Sequence, residues 1–353
     1  MTAPKSDDPA GTRGTPNNWR VFHGTDVPGR PAEIPPPPPW RTFDGGPLMA
    51  PPVDDSFELA RRRLGVPALR TDHRAAPFGD EQTDVVNAAL LLRRPLLVTG
   101  IPGTGKSSLA YRIARELGLG RVLTWSVTSR STLRDGLYSY DAIGRVHDAG
   151  LRQPGPDSAE TSIGDYIHLG PLGTALLPYE RPRVLLVDEL DKSDIDLPND
   201  LLHVFEDGEF EIPELVRARG QSAQVEVLTD DPGGTAPISE GRVRCREFPV
   251  VVISSNGEQE FPPAFRRRCL RLDLQPPGPE QLAAMVAAHF GDDVADRARD
   301  VVEAFVLRSR DSGGLATDQL LNAVHLMTSG GVTPRGPRWD ELMAAVWRRL
   351  GDD

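Results

Sequence analysis

The chain has 353 residues, which is enough for one large α/β domain with a smaller companion. Its net charge of −11 gives no general attraction to phosphate backbones or anionic membranes, so we expect protein partners and no membrane, and nucleic acid is not the default partner although a local basic surface stays open. Cys245 and Cys269 lie far apart in the sequence, which argues against a disulfide scaffold and a zinc site. No apolar run reaches about 18 residues, which argues against a membrane span and predicts a cytoplasmic protein.

The first 76 residues predict a proline-rich N-terminal arm that is largely irregular. Residues 35–39 are an unbroken proline run, which favours extended polyproline geometry. Residues 19–25 and 39–43 carry aromatic side chains that a solvated tail seldom needs. Two interpretations stay open, a strap onto the body or a neighbouring subunit, and a disordered tail.

A glycine-rich loop at residues 100–107 is the strongest local pattern. It fits Gly-x-x-x-x-Gly-Lys-Ser, follows an apolar strand at 95–99 and precedes a segment with helical spacing at 107–114. Backbone N–H groups of such a loop bind phosphate oxygens, while its lysine and serine serve the outer phosphates and Mg²⁺. A glycine-rich turn without ligand is the alternative. The candidate nucleotide-binding residues are Pro102, Gly103, Thr104, Gly105, Lys106, Ser107 and Ser108.

Helices and strands are predicted to alternate around this loop. A helix at 79–92 leads into it, a strand follows at 121–127, a helical stretch opens at Thr132, and another helix is predicted at 163–169. That order predicts a parallel sheet covered by helices on both faces.

A second apolar strand, at 184–187, ends on the paired acids Asp188 and Glu189. In a phosphate-loop enzyme Asp188 and Ser107 would hold Mg²⁺, and Glu189 would polarise the attacking water. The alternative is an ordinary strand followed by a polar turn.

The next stretch predicts a helix at 196–207 and a β-hairpin insertion with arms at 209–213 and 224–228. A buried strand at 248–256 then closes on Asn256, which would orient the lytic water or simply start a turn with Gly257.

Three consecutive arginines, at 266–268, follow in a short helix before a final strand. A guanidinium group stabilises charge on a transferring phosphate, so one of them is a candidate arginine finger, with solvated helix-end charge as the alternative. Four helices are predicted beyond them, at 279–290, 293–309, 316–327 and 339–350.

The order of these motifs is that of AAA+ ATPases, and with the hairpin insertion residues 79–351 resemble a MoxR-type AAA+ ATPase. The resemblance implies that residues 103–107 form the Walker A element, Asp188 and Glu189 the Walker B element, and Asn256 the first sensor. Arg268 lies where the family carries its finger arginine, with Arg267 and then Arg266 as further choices.

The implied fold is an α/β P-loop NTPase with a proline-rich arm at 1–76, a nucleotide-binding domain at 77–275 and an α-helical lid at 276–353. The resemblance also implies ATP and Mg²⁺ as cofactors, a homo-hexameric ring, and a protein client that often contains a von Willebrand A domain. One departure is that no basic residue directly precedes the 316–327 helix, where the family usually has a second sensor; Arg308 and Arg310 lie upstream.

Two functions stay open for such a protein. One is a chaperone-like motor that remodels or activates a partner protein, and the other is an ATP-gated switch or scaffold in a regulatory or defence system, with slow hydrolysis. The same site residues serve both.

Overall fold

The computed structural model describes residues 19–24, 33–52, 57–65, 79–151, 162–220, 222–311, 315–329, 336 and 338–347. Most of the arm, residues 152–161 and residues 312–314 lie outside the described residues. The predictions made for those segments stay predictions.

Strands and helices alternate over residues 80–228, the strands between residues 224 and 255 then follow one another, and helices between residues 279 and 346 end the described part of the chain. The strands are β1 (Leu96–Thr99), β2 (Val122–Ser126), β3 (Tyr138–Tyr140), β4 (Ile167–Leu169), β5 (Val184–Asp188), β6 (Glu209–Glu211), β7 (Gln224–Leu228), β8 (Thr235–Ser239), β9 (Arg242–Arg244), β10 (Val250–Ser255) and β11 (Leu270–Asp273). The helices are α1 (Phe57–Leu64), α2 (Asp80–Leu92), α3 (Lys106–Glu116), α4 (Leu133–Leu137), α5 (Ala142–Leu151), α6 (Pro171–Ala175), α7 (Leu197–Asp207), α8 (Pro213–Ala218), α9 (Pro263–Arg268), α10 (Pro279–Phe290), α11 (Asp292–Arg297), α12 (Arg299–Asp311), α13 (Thr317–Ser329) and α14 (Trp339–Val346). None of these helices combines the length and the apolar character needed to cross a bilayer.

A five-stranded sheet in the order β11-β1-β10-β5-β2 forms the centre of the protein. All its described pairings are parallel, so the carboxyl ends of these strands meet at one edge. Side chains alternate between its faces: Leu96 and Val98 pack with α2 and α3, whereas Leu97 packs on the opposite side with α6 and α7. The structure therefore confirms the predicted parallel sheet between layers of helices.

A second sheet replaces the predicted hairpin. Its order is β3-β4-β7-β8-β9-β6, and the two predicted hairpin arms, β6 and β7, are not partners. β6 pairs with β9, and β7 pairs with β8, because two further short strands lie between them. The hairpin prediction was therefore wrong in its pairing, although both arms are strands.

Two helix predictions also need correction. The segment 163–169 is a short 3-10 turn followed by β4, because His168 and its neighbours pair with β3 and β7. The single helix predicted at 293–309 is two helices, α11 and α12, which meet at the fully buried Ala298.

The arm segment 19–24 lies against α2. Asn87 accepts hydrogen bonds from the backbone N–H groups of Val21 (2.7 Å) and Phe22 (3.0 Å) and donates one to the Phe22 carbonyl (2.7 Å). Phe22 is fully buried, and Arg20 pairs with Asp84 at 2.7 Å. For these residues the strap interpretation holds, on the body of the same chain.

Helices α10 to α14 pack around an apolar cluster of their own, which includes Val286, Phe305, Val324 and Trp347. The C-terminal part of the protein is therefore helical, as predicted. The domain boundary placed at residue 275 remains a prediction.

Candidate nucleotide site

The glycine-rich loop joins the end of β1 to the start of α3. Gly103 and Gly105 have φ angles of 81° and 87°, in the left-handed region that favours glycine. Because α3 begins at Lys106, its first backbone N–H groups and the positive end of its dipole face the loop. This is the strand, loop and helix arrangement that the sequence predicted.

Lys106 turns back over the loop and is buried. Its Nζ donates hydrogen bonds to the carbonyl oxygens of Gly100 (2.7 Å) and Ile101 (2.9 Å). Burial lowers the pKa of the ammonium group, and three carboxylates oppose that shift, those of Asp191, Asp188 and Glu189. The lysine thus lies between the phosphate loop and the acids at the ends of the neighbouring strands.

The amino end of α13 closes over the same loop. The hydroxyl of Thr317 donates to the Gly103 carbonyl. A Cβ atom placed on Gly103 would lie 2.8 Å from the Cα of Ala316, so only glycine fits at this contact. The helical C-terminal part therefore touches the phosphate loop through backbone and hydroxyl groups.

Asp188 is the centre of the polar cluster beside the loop. Its Oδ1 accepts hydrogen bonds from the hydroxyls of Ser107 (2.7 Å) and Ser254 (2.6 Å). A serine hydroxyl and a carboxylate oxygen are hard oxygen ligands of the kind Mg²⁺ prefers, so these side chains fit the predicted metal role. The Ser254 hydroxyl also accepts the backbone N–H of Glu189 at 2.8 Å.

Glu189 has a left-handed backbone with φ of 60°, which is uncommon for a residue other than glycine. The hydrogen bond from its N–H to Ser254 helps to hold that conformation. Its side chain is about half exposed and pairs with Lys192 Nζ at 2.9 Å. The carboxylate is thus at the sheet edge next to Asp188, with a lysine as its partner.

Asn256 is held at the end of β10 through its main chain. Its N–H and that of Glu258 donate to Asp191 Oδ2, at 2.8 and 3.1 Å. Asp191 is buried, and its other oxygen, Oδ1, accepts no hydrogen bond in the described part of the chain. Sequence reasoning missed Asp191 and Ser254.

The arginine cluster lies at the other edge of the sheet. Arg268 ends α9, just before β11, and β11 pairs in parallel with β1 so that Leu270 lies beside Leu96. Four residue-to-residue steps of about 3.3 Å separate Leu96 from Gly100 at the start of the phosphate loop, a distance of about 13 Å. Arg268 therefore lies far from the phosphate loop of its own chain.

The partners of the arginines are elsewhere. Arg268 Nε donates to Glu206 Oε1 at 2.6 Å, and its Nη1 contacts the Ala264 carbonyl at 3.4 Å. Arg267 is exposed, and its carbonyl accepts from Arg94. The structure thus gathers Lys106, Ser107 and the acid pair at one place, and Arg266, Arg267 and Arg268 at another.

The fold and the cluster define a P-loop nucleotide-binding protein. Residues 95–269 match the family model "AAA domain (dynein-related subfamily)". AAA domains in general hydrolyse nucleotides, usually with Mg²⁺.

Two solved structures are similar in part, and both are single-residue mutants of RuvB from Thermotoga maritima. The first has 15% identity and a TM-score of 0.38, and the match covers 75% of this chain and 68% of that chain. The second has 14% identity and a TM-score of 0.37, with 75% and 67% covered. The comparison with curated proteins finds no match.

Proposed function

We propose that the protein is an ATPase that hydrolyses ATP at the interfaces between subunits of a ring and uses the energy to remodel or activate a partner protein. The observation that carries the proposal is the separation of its functional groups. The phosphate loop and the acids Asp188 and Glu189 share one edge of the sheet, and Arg268 lies at the opposite edge. A site that is completed by a neighbouring copy fits this arrangement.

Each group has one role in the proposed reaction. The loop amides and Lys106 bind the phosphates, and Glu189 accepts the proton of the attacking water. Asn256, at the end of the adjacent strand, orients that water. Ser107 and Asp188 would hold Mg²⁺, which neutralises charge on the phosphate oxygens when it is bound.

The arginine acts from the next subunit in this proposal. Arg268 stabilises the negative charge that develops on the transferred phosphoryl group, with Arg267 as second choice. A closed ring supplies every site with one such arginine, and the resemblance to MoxR-type proteins favours a homo-hexamer. The same resemblance favours a client that contains a von Willebrand A domain.

The variant Glu189→Gln tests the hydrolytic role. It keeps the size of the side chain and removes the proton acceptor, so ATP binding should stay within about two-fold while turnover falls by at least about 100-fold. Binding is measured by titration with fluorescent ATP and turnover by phosphate release. Glu226→Gln, an exposed substitution on β7, is the matched control and should behave as wild type. Unchanged turnover in Glu189→Gln removes Glu189 from its role.

The ATP-bound Glu189→Gln protein also serves to find the client. With hydrolysis blocked, a remodelling complex should persist and should co-purify with the variant in ATP but not in ADP. A partner that binds equally in both nucleotides argues against a hydrolysis-driven motor.

The ion pair between Lys192 and Glu189 favours a second candidate, an ATP-gated switch with slow hydrolysis. A lysine paired with the proposed catalytic carboxylate competes with the attacking water for it. The two functions differ in one measurement. A motor's turnover rises when the client is added, whereas a switch assembles on ATP binding and hydrolyses at the same slow rate with or without it.

A further inference from the structure

We infer that Glu206 is a positioning residue for Arg268 and that the N-terminal arm, through Arg41, holds Glu206 in place. The inference rests on the proposed action of Arg268 on the site of a neighbouring subunit. It adds to that proposal a residue on α7 and a role for the arm, which lies outside the matched AAA domain.

Glu206 and Arg268 are in direct contact. Glu206 lies in the last turn of α7, and its Oε1 accepts the Nε–H of Arg268 at 2.6 Å. This engages the inner side of the guanidinium group. Within the described residues Nη2 donates no hydrogen bond, so the outer part of the planar group stays available for a phosphate.

The N-terminal arm contacts Glu206 through Arg41. Nη1 of Arg41 lies 3.6 Å from Glu206 Oε2 and donates to the Glu206 carbonyl at 3.3 Å. The carboxylate therefore has an arginine on each oxygen, one from α9 and one from the arm.

Arg41 is itself fixed. It is buried, its Nη2 donates to the Arg93 carbonyl at 2.9 Å, and its guanidinium lies 4.4 Å from the ring centre of Phe248 and 5.3 Å from that of Phe43. Because this buried guanidinium is held by these contacts, it gives the Glu206 carboxylate a partner whose position is fixed.

The arrangement explains how a weak contact can orient an arginine. Arg268 and Glu206 are each nearly half exposed, and an exposed pair alone restrains two long side chains poorly. Because Arg41 restrains the carboxylate from the other side, Arg268 meets an acceptor that is already in place. The guanidinium group then loses less freedom when it reaches the neighbouring nucleotide.

The alternative is that the same contacts only fasten the arm to the body. A fastening role changes stability and leaves the reaction unchanged. A positioning role changes kcat, leaves the KM for ATP unchanged, and acts on the site of another subunit.

The kinetic test uses Glu206→Ala and Glu206→Gln, with Arg268→Ala as reference. Glu206→Ala should lower kcat about ten-fold with KM for ATP within about two-fold, a smaller loss than that of Arg268→Ala. Glu206→Gln keeps an acceptor for Nε–H and should recover most of the rate. If Arg268→Ala is impaired and Glu206→Ala is not, the inference fails while the proposed function stands. If Arg268→Ala is fully active, the inference fails and Arg267 becomes the candidate for the acting arginine in the proposed function.

A mixing experiment separates positioning from a local defect. Glu206→Ala subunits have an intact site and a poorly held arginine, whereas Glu189→Gln subunits have an inactive site and an intact arginine. Mixed assemblies should therefore hydrolyse more ATP per Glu206→Ala subunit than Glu206→Ala alone. No gain on mixing, in assemblies shown to contain both variants, overturns the inference.

The arm is tested with Arg41→Ala and the matched control Arg20→Ala. Arg20 fastens the arm to α2 and does not contact Glu206. Arg41→Ala should lower kcat about three-fold at unchanged KM, and Arg20→Ala should leave both unchanged. Because Arg41 is buried, Arg41→Lys, which keeps the charge, is measured beside it with thermal unfolding. Equal kcat in folded Arg41→Ala and wild type overturns the link to the arm.

Discussion

One hydroxyl group joins the two acids of the candidate site. Ser254 donates to Asp188 and accepts from the backbone N–H of Glu189, which has a left-handed conformation. The position of the proposed base thus depends on a neutral side chain of the neighbouring strand. A shift of about 1 Å in a catalytic group costs up to about 100-fold in rate, so this contact matters more for reaction than for stability.

Replacing that hydroxyl tests its importance. Ser254→Ala should lower kcat about ten-fold, because Glu189 loses the contact that holds its main chain, and should change ATP affinity by less than about three-fold. Steady-state phosphate release gives kcat, and nucleotide titration gives the affinity. Ser139→Ala, an exposed serine of β3, is the control. A loss confined to affinity contradicts the role assigned to Ser254.

The sequence predicted the acids of the site but not their supports. Asp188 and Glu189 follow a clear apolar strand. In phosphate-loop enzymes a carboxylate pair at the end of such a strand binds Mg²⁺ and activates the attacking water. Ser254 and Asp191 carry no local signal. Their importance comes from the pairing of β5 with β10, which sets residues 66 positions apart beside each other.

The arm is anchored to α2 by one aromatic side chain and one amide. Phe22 is fully buried in the cluster that also contains Val86 and Leu109, and Asn87 satisfies three backbone groups of the arm. The side-chain amide of asparagine can both donate and accept hydrogen bonds, so it pairs with the main chain of an extended segment as a neighbouring strand would. The segment is therefore part of the folded core.

Phe22→Ala should destabilise the protein by about 3–4 kcal/mol, because a buried aromatic ring is replaced by a cavity. The measurement is the free energy of unfolding in urea. Trp40→Ala removes an arm residue that is 75% exposed and should change stability by less than about 0.5 kcal/mol. Equal stability of wild type and Phe22→Ala contradicts the anchored arm.

Long-range pairing explains the elements that sequence reasoning missed. β8 and β9 are short, and nothing near β6 indicates that it pairs with β9. The break between α11 and α12 contains no proline or glycine, so the helical pattern runs through it without a stop signal. The helices and strands around the phosphate loop were predictable because their periodicity and their motif agree.

At the scale of the whole molecule, the proposed site is divided between the carboxyl and the amino ends of the strands of one sheet. β1 carries the phosphate loop at its carboxyl end, and β11 follows Arg268 at its amino end. In an assembly where the carboxyl ends of one copy's strands face the amino ends of the next copy's strands, the phosphate loop and Arg268 come together. Activity should then depend on association.

Specific turnover of the wild type should rise with protein concentration, because dilution separates the arginine from the site that it completes. Mixing Arg268→Ala with Glu189→Gln should restore part of the turnover that each variant lacks alone, because the first has an intact site and the second an intact arginine, and a parallel series with Arg267→Ala shows which arginine acts. The readout is phosphate release at fixed ATP. Turnover per subunit that is constant across concentrations at which sedimentation shows dissociation contradicts the shared site.

If the proposed ATPase passes a nucleotide signal to its helical part, the contact between Gly103 and the amino end of α13 sets how that signal depends on salt. Thr317 and its neighbours meet the loop through atoms that carry no net charge. Dissolved salt weakens attraction between exposed charges over about 10 Å at about 0.1 M, but it does not alter the volume that two backbones exclude from each other. Coupling through a steric contact should therefore keep its strength from low to high salt concentration. Coupling through an exposed arginine would lose much of its strength at high salt.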